Sequence, residues 1–156
     1  MQNQGKTMDQ NAKNVMFSSD RIDWETPEWL YKQLNEEFNF TCDVCATKEN
    51  AKHVNYFSPE DDGLSKKWEG VCFCNPPYGR DVKHWVKKAR DESRSGNAKV
   101  IMLLPVRTDT QWFHDYIYAK TNTNIRFLRG RLKFGKSTNA APFPSMVVIF
   151  QKYFYE

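Results

Sequence analysis

No run in the 156-residue chain approaches the length of apolar sequence, about 18 residues, that a membrane-spanning helix requires, so no membrane association is expected. The opening MQNQGKTMDQNAKN holds no apolar stretch, which argues against a secretory signal and for a cytoplasmic protein. Charge of neither sign dominates. The 23 Lys+Arg against 19 Asp+Glu leave a net charge of +4, which permits a polyanionic partner without demanding one. There is no internal repeat, and the length supports one domain rather than two. Hydrophobic content of 40% is ordinary for a globular chain and excludes disorder throughout. The unusual number is the aromatic content, 15%, because aromatic rings serve both protein cores and base-stacking sites.

Cysteine is present but in a pattern that fits neither of its common structural uses. The four thiols stand as Cys42-x2-Cys45 and Cys72-x-Cys74. Without an export signal, disulfides are not expected. The first pair has a zinc-like spacing; the second, separated by one residue inside VCFCNPP, does not. Both pairs lie in short β-like runs, FTCDVC and VCFC, where a free cysteine acts as a small buried hydrophobe. No metal site is expected.

Residues 1–20 are rich in Gln, Asn, Lys and Ser and predict a flexible tail, with one domain over 21–156 and order beginning near Ile22 and Trp24. Thr26-Pro27 reads as an N-cap followed by proline at the first helical position. Leu30, Leu34 and Phe38 then recur at helical spacing, giving a helix over 27–37. Phe40 to Cys45 reads as a first strand ending at Asp43 and the turn around Ala46-Thr47, with a short helix near 48–52 in an otherwise irregular stretch. Val71–Cys74 is a strand stopped by Asn75-Pro76-Pro77-Tyr78-Gly79. Val82, Trp85, Val86 and Ala89 mark a helix over 81–94 that ends at Ser95-Gly96-Asn97. Val100–Leu104 is a continuous apolar strand of the kind buried on both faces. Thr108 can cap a helix over 109–119, and strand-like pieces follow at 124–128, 131–134 and 145–151, with a loop over 135–144. This alternation predicts an α/β sandwich around a mostly parallel sheet, in which ligands bind beyond the carboxyl ends of the strands. Asp43 and Asn75 to Tyr78 both fall at such ends.

Asn-Pro-Pro-Tyr has a physical meaning of its own. Asn75 precedes a proline and is pushed into an extended conformation. Pro76 and Pro77 fix φ and offer carbonyls with no N–H. The result is a stiff corner presenting an amide, a carbonyl and an aromatic ring, which suits a planar substrate bearing an amino group. The Asn75 oxygen and the Pro76 carbonyl can accept the two amino hydrogens while Tyr78 stacks on the ring. A plain proline turn with Tyr78 in the core is the other reading of the same four residues.

The chain resembles the small phage-type DNA adenine-N6 methyltransferases, the phage Dam-like family. The likeness runs from residue 24 to about 150. It is carried by Trp24-x-Thr26-Pro27, Phe40-Thr-x-Asp43-Val-x-Ala46, Tyr56-Phe-x-Pro-Glu-Asp-Asp-Gly63-Leu and Asn75-Pro-Pro-Tyr-Gly79-Arg80, then by Met102-Leu-Leu-Pro105, Asp109-Thr-x-Trp112 and Gly130-Arg131-Leu-x-Phe134. The resemblance implies a three-layer Rossmann-like S-adenosylmethionine-dependent methyltransferase fold, mostly parallel with a C-terminal antiparallel element. It also implies S-adenosylmethionine as donor and the N6 amine of an adenine flipped out of double-stranded DNA as acceptor. Asn75, Pro76, Pro77 and Tyr78 would then be the catalytic corner. Thr26, Pro27, Asp43, Ala46, Asp62 and Asn75 would meet the cofactor, with Asp61 or Glu60 as alternatives to Asp62. A turn-capping role for Asp43 and a solvated acidic loop at 60–62 are the competing readings. The chain departs from many such enzymes in having no glycine in Val44-Cys45-Ala46-Thr47. No general base is evident, and none is required before attack.

For DNA contact the best stretch contains Arg126, Arg129, Arg131, Lys133 and Lys136, with Arg80 and Arg107 as secondary candidates; a hairpin with one wet face is the alternative. No separate recognition domain fits the length, so specificity falls to loops such as 135–144 or to a second subunit in a homodimer. Two rival functions remain open at this level: methylation of an RNA base or a protein glutamine amide, and a non-catalytic zinc or nucleic-acid-binding module. A phage-encoded enzyme would act in the bacterial host cytoplasm.

Overall fold

The computed structural model describes residues 24–153; the expected tail over 1–20 and the onset of order at Ile22 lie outside the described residues. Among the described residues three α-helices, α1 (Glu28–Phe38), α2 (Val82–Arg94) and α3 (Gln111–Tyr116), accompany five strands, β1 (Cys42–Asp43), β2 (Gly70–Cys74), β3 (Ala98–Pro105), β4 (Thr123–Phe127) and β5 (Ser145–Phe150). The strands form one mixed sheet in the order β1-β2-β3-β5-β4. β1, β2 and β3 are parallel, with Cys42 opposite Cys72 and Phe73 opposite Ile101. β5 inserts between β3 and β4 and runs antiparallel to both, so it alone opposes the common strand direction. None of the described helices is long and apolar enough to cross a membrane.

Apolar side chains fill both sheet faces. Cys72, Cys74, Val100, Met102, Leu104 and Val148 pack under Val82, Trp85, Val86 and Ala89 of α2 and under Trp112 and Phe113 of α3. The alternate residues Phe73, Ile101, Leu103, Val147 and Ile149 pack under Leu30, Tyr31 and Leu34 of α1 and under Leu132, Phe134 and Ala141. Burying each large apolar side chain of α1 is worth about 1.5–3 kcal/mol, far more than any ion pair on its surface. None of the four cysteines is in a disulfide; Cys42 is partly buried and the other three are buried within the strands and the turn after β1. Burial pushes the Cys42 thiol up to about 11 and the Cys72 thiol up to about 12, from the ordinary 9.0. The stability tied to these neutral thiols is therefore intact below pH 9 and is lost as pH rises towards 11 to 12. A thiol reagent at pH 8 should modify the native protein at least about tenfold more slowly than the urea-unfolded chain; equal rates would contradict the burial.

Several elements differ from the sequence reading, each for a local reason. Thr26 does not cap α1. The N-cap is Pro27, whose carbonyl accepts from Leu30 and Tyr31, and no side chain caps the helix. The expected helix near 48–52 is a turn. Thr47 N–H donates to Asn50 Oδ1 and Asn50 N–H to Thr47 Oγ1, so side chains take the backbone groups that a helix would use. The stretch 131–134 alternates as a strand would, with Leu132 and Phe134 buried and Arg131 and Lys133 exposed, yet it has no ladder. It lies across the α1 face of the sheet instead of along an edge, held by Ala141 N–H donating to the Leu132 carbonyl. Thr110, not Thr108, caps α3, accepting from Phe113 N–H at 3.4 Å. That helix stops at Tyr116 because the chain turns back on itself at Ala119, with φ of 56°.

Between β1 and β2 the chain makes one close approach. A Cβ on Gly63 would stand 2.5 Å from the Val44 carbonyl oxygen and 3.2 Å from the Trp85 ring. Trp68, wholly buried beside this point, donates its indole N–H to the Gly63 carbonyl at 2.8 Å and stacks on Trp85. Gly63→Ala is expected to cost about 1–3 kcal/mol by overpacking, read as a lowered urea midpoint. An unchanged midpoint would show that the 60–65 loop yields freely.

Candidate active site at the carboxyl ends of the parallel strands

β1, β2 and β3 are parallel and so end on the same side, and there the chain delivers Asp43, Asn75 and Pro105. Asn75 follows directly from β2, 4% exposed, and its amide is held from one side only. Nδ2 donates to the Trp24 carbonyl at 2.8 Å and to Thr26 Oγ1 at 3.0 Å. Because the Trp24 carbonyl can only accept, the amide orientation is fixed, and Asn75 Oδ1 faces the other way. That oxygen is buried and has no hydrogen-bond partner among the described residues. Leaving such an acceptor unsatisfied costs about 1–3 kcal/mol, a cost that binding of a donor removes.

Thr26, Asp43 and Asn75, three residues singled out from separate stretches of sequence, line a single narrow cleft with Glu25, Cys45, Asn50, Lys52 and Phe73. The Asp43 carboxylate accepts from Cys45 N–H at 3.3 Å and from Lys52 N–H at 3.1 Å. The turn-capping reading of this residue and its place in the cleft are thus compatible. Its carboxylate also answers the missing glycine, since the turn after β1 is closed by a side chain and none of residues 44–47 has a positive φ. Ala46 is buried in that turn and donates its N–H to the Phe57 carbonyl. Burial, with a smaller contribution from the Asp43 carboxylate, pushes the neighbouring Tyr31 hydroxyl up to about 12.

Lys52 was not anticipated. Its ammonium is 6% exposed and donates to Glu25 at 3.2 Å and to Glu28. The pairing spans 27 positions of sequence, so no local pattern could have shown it. The acidic candidates at 60–62 lie elsewhere: all three are exposed, and none lines this cleft. Asp61 accepts from the N–H and hydroxyl of Ser58, which hold its carboxyl below the usual range. Asp62 sits at φ 54° at the head of a short 3-10 turn.

Beside the cleft lies a second, largely apolar cavity of about 200 Å³, lined by Trp24, Tyr78, Gly79, Pro105, Arg107, Pro142 and Phe143. The Tyr78 ring stands 6.4 Å from Trp24 and 5.5 Å from Phe143, and its hydroxyl donates to the Leu103 carbonyl at 3.3 Å. Gly79, at φ 110°, makes the turn that lets this ring come forward. Trp24 and Phe143 were not named as site residues. Their contribution depends on loops meeting across the fold.

The basic candidates divide. Arg107 lines the aromatic cavity, and Arg80 is exposed just after Gly79. Arg129, Arg131, Lys133 and Lys136 are exposed on the segment whose Phe134 packs against Trp24 and Tyr78. Arg126 is committed elsewhere: both its terminal nitrogens donate to Glu37 of α1, at 2.8 and 2.7 Å, and it lies over Phe38. The hydrogen bonds from Arg126 lower the Glu37 carboxyl and Glu37 in turn raises the guanidinium, but with both groups nearly half exposed the pair is worth under about 1 kcal/mol.

A family model described as DNA N-6-adenine-methyltransferase (Dam) matches residues 11–156, nearly the whole sequence. The chain belongs to this family. A DNA N-6-adenine-methyltransferase of Haemophilus phage HP1 (strain HP1c1) is 34% identical over 150 residues, covering 90% of this chain and 84% of that protein. One of Escherichia phage T1 is 34% identical over 95 residues, 58% of this chain and 38% of the phage protein. Among solved structures, the 23S rRNA methyltransferase ErmE aligns with a TM-score of 0.40 and 14% identity over 80% of this chain and 49% of that one, too distant a likeness to bear on activity. Membership in the Dam family gives the NPPY corner, the cleft and the aromatic cavity one common context.

Proposed function

We propose that the cleft at Thr26, Asp43 and Asn75 binds S-adenosylmethionine and that the adjoining aromatic cavity receives an adenine turned out of double-stranded DNA. DNA adenine methylation itself follows from membership in the Dam family. The observation that carries the rest is the buried Asn75 Oδ1, without a partner among the described residues, on a cleft-lining side chain whose Nδ2 is bonded to Trp24 of the aromatic cavity. In this reading the sheet with its two covered faces is the three-layer Rossmann-like methyltransferase fold.

The charged groups suit such a donor, and the cleft, about 10 Å³ in this structure, must widen around it. A cleft walled by the Asp43 and Glu25 carboxylates and one lysine suits a cationic ligand with an amino-acid tail. When bound, S-adenosylmethionine would supply a methyl group on a sulfonium, with neutral S-adenosylhomocysteine as the leaving group, and the methylated nitrogen would then release one proton to solvent. The N6 amine is a weak nucleophile because its lone pair is delocalised into the ring. Asn75 Oδ1 and the Pro76 carbonyl accept its two hydrogens and draw it towards tetrahedral geometry. These bonds strengthen as positive charge develops on nitrogen, where stabilisation counts for rate. Pro77 keeps the corner stiff, and Tyr78, with Trp24 and Phe143 around it, stacks on the flipped base and excludes water. Alignment of amine and methyl supplies much of the remaining acceleration.

Arg80, Arg107, Arg129, Arg131, Lys133 and Lys136 neutralise phosphates around the cavity mouth. Arg126 joins this set by leaving Glu37, an exposed pair worth under about 1 kcal/mol. Sequence choice comes from the exposed loop 135–144, with a second copy of the chain as the alternative source, and the enzyme works in the cytoplasm where host and phage DNA are found. Donor binding is tested by melting with S-adenosylmethionine and S-adenosylhomocysteine. At 100 times the dissociation constant the native state should gain about 2.7 kcal/mol, a clear rise in Tm. No rise at saturating concentration, with no calorimetric heat, would overturn the donor assignment.

A further inference from the structure

An asparagine amide has two ends of nearly equal size and opposite hydrogen-bonding sense. For Asn75 the distinction is decisive. With Oδ1 towards the substrate it accepts an amine hydrogen; with the amide turned over, its own hydrogens would confront those of the amine. Something must therefore hold Nδ2 away from the reacting centre. The structure contains two such groups, the Trp24 carbonyl and the Thr26 hydroxyl, each accepting from Nδ2, at 2.8 and 3.0 Å. Thr26 is 3% exposed, so water does not replace its hydroxyl.

This geometry also explains why Thr26 is not the helix cap that its place before Pro27 suggests. Its hydroxyl is turned to Asn75, 49 residues away, and α1 begins with no side-chain cap at all. A capping bond is worth about 1 kcal/mol. Its absence beside an available threonine means that the hydroxyl serves the site instead. The same short segment is fastened elsewhere as well: the Glu25 carbonyl accepts from Gly135 N–H at 2.7 Å, and the Glu25 carboxylate from Lys52. The strand of chain carrying Thr26 is thus a fixed frame against which the Asn75 amide is set.

We propose that Thr26 is a positioning residue for Asn75: its buried hydroxyl, with the Trp24 carbonyl, locks the amide so that Oδ1 alone faces the substrate amine. This rests on the reading of Asn75 as the group that accepts from the amine. It assigns Thr26 a role in the transfer step, beyond any contact with the donor.

The test is a set of purified variants assayed for single-turnover methyl transfer to DNA, with S-adenosylhomocysteine and DNA affinities measured separately. Thr26→Val keeps the shape and removes the hydroxyl; Thr26→Ser keeps the hydroxyl. Thr26→Val should lower the transfer rate about tenfold or more at saturating donor and DNA, a loss larger than any fall in S-adenosylhomocysteine affinity that follows from its place in the cleft, and Thr26→Ser should recover most of the rate. In an Asn75→Ala background, Thr26→Val should have no further effect on rate, which a general loss of packing would not reproduce. A Thr26→Val enzyme as fast as wild type overturns the proposal. So does a rate loss matched by lost S-adenosylhomocysteine affinity, an unrescued Thr26→Ser, or an undiminished effect in the Asn75→Ala background. Should Thr26→Val fail to fold, Thr26→Ser against Thr26→Ala gives the same comparison. If Asn75→Ala itself transfers methyl at the wild-type rate, the underlying reading of Asn75 fails; if Asn75→Ala is slow and Thr26→Val is fast, only the positioning role fails.

Discussion

Asn75→Ala should still bind S-adenosylhomocysteine and, at saturating donor, transfer methyl more than tenfold more slowly, a barrier increase of at least about 1.4 kcal/mol. The reason is local. Oδ1 is a buried acceptor without a partner among the described residues, and alanine removes it while leaving the neighbouring Asp43 and Lys52 in place. The change also strands two acceptors, the Trp24 carbonyl and the Thr26 hydroxyl, so a stability loss of about 1–3 kcal/mol is expected alongside. The two effects separate in the assay, because a destabilised but folded enzyme keeps its kcat while loss of the acceptor does not. Single-turnover rates well below the melting temperature make the distinction, and equal rates would remove Asn75 from the mechanism.

Tyr78→Ala is the second large effect. The ring forms a wall of the cavity with Trp24 and Phe143, and base–aromatic stacking is worth about 1–3 kcal/mol. Catalytic efficiency on DNA should therefore fall roughly 5- to 150-fold, with donor affinity little changed. Tyr78→Phe keeps the ring and loses the hydroxyl with its long 3.3 Å bond to the Leu103 carbonyl, so it should remain within about fivefold of wild type. A phenylalanine variant as damaged as the alanine variant would transfer the role from the ring to the hydroxyl.

The contrast between what the sequence reveals and what it hides follows the range of the interactions. Asn75 to Tyr78 are legible because two prolines and a preceding apolar strand fix the corner without help from the rest of the chain. β2, β3, α1 and α2 were legible for the same reason: their apolar periods are local, and each packs as its period requires. Leu132 and Phe134 misled because inward–outward alternation reports one buried side and not a ladder partner. Thr26 misled because its hydroxyl is claimed by a residue 49 positions away instead of by the helix it precedes. Lys52 and Phe143 reach the site through loop contacts that leave no periodic trace. Arg126 looked free until α1 brought Glu37 to it. The corner's preference for a planar amine does not by itself distinguish adenine from an RNA base or a glutamine amide; membership in the Dam family does.

The most direct test is to incubate the purified protein with methyl-labelled S-adenosylmethionine and unmethylated genomic DNA, digest the DNA to nucleosides and identify which one carries the label. The expected result is label in N6-methyladenosine of the deoxy series, strongly reduced with Asn75→Ala. Label absent from the DNA while the donor still binds would contradict methyl transfer to adenine at this site.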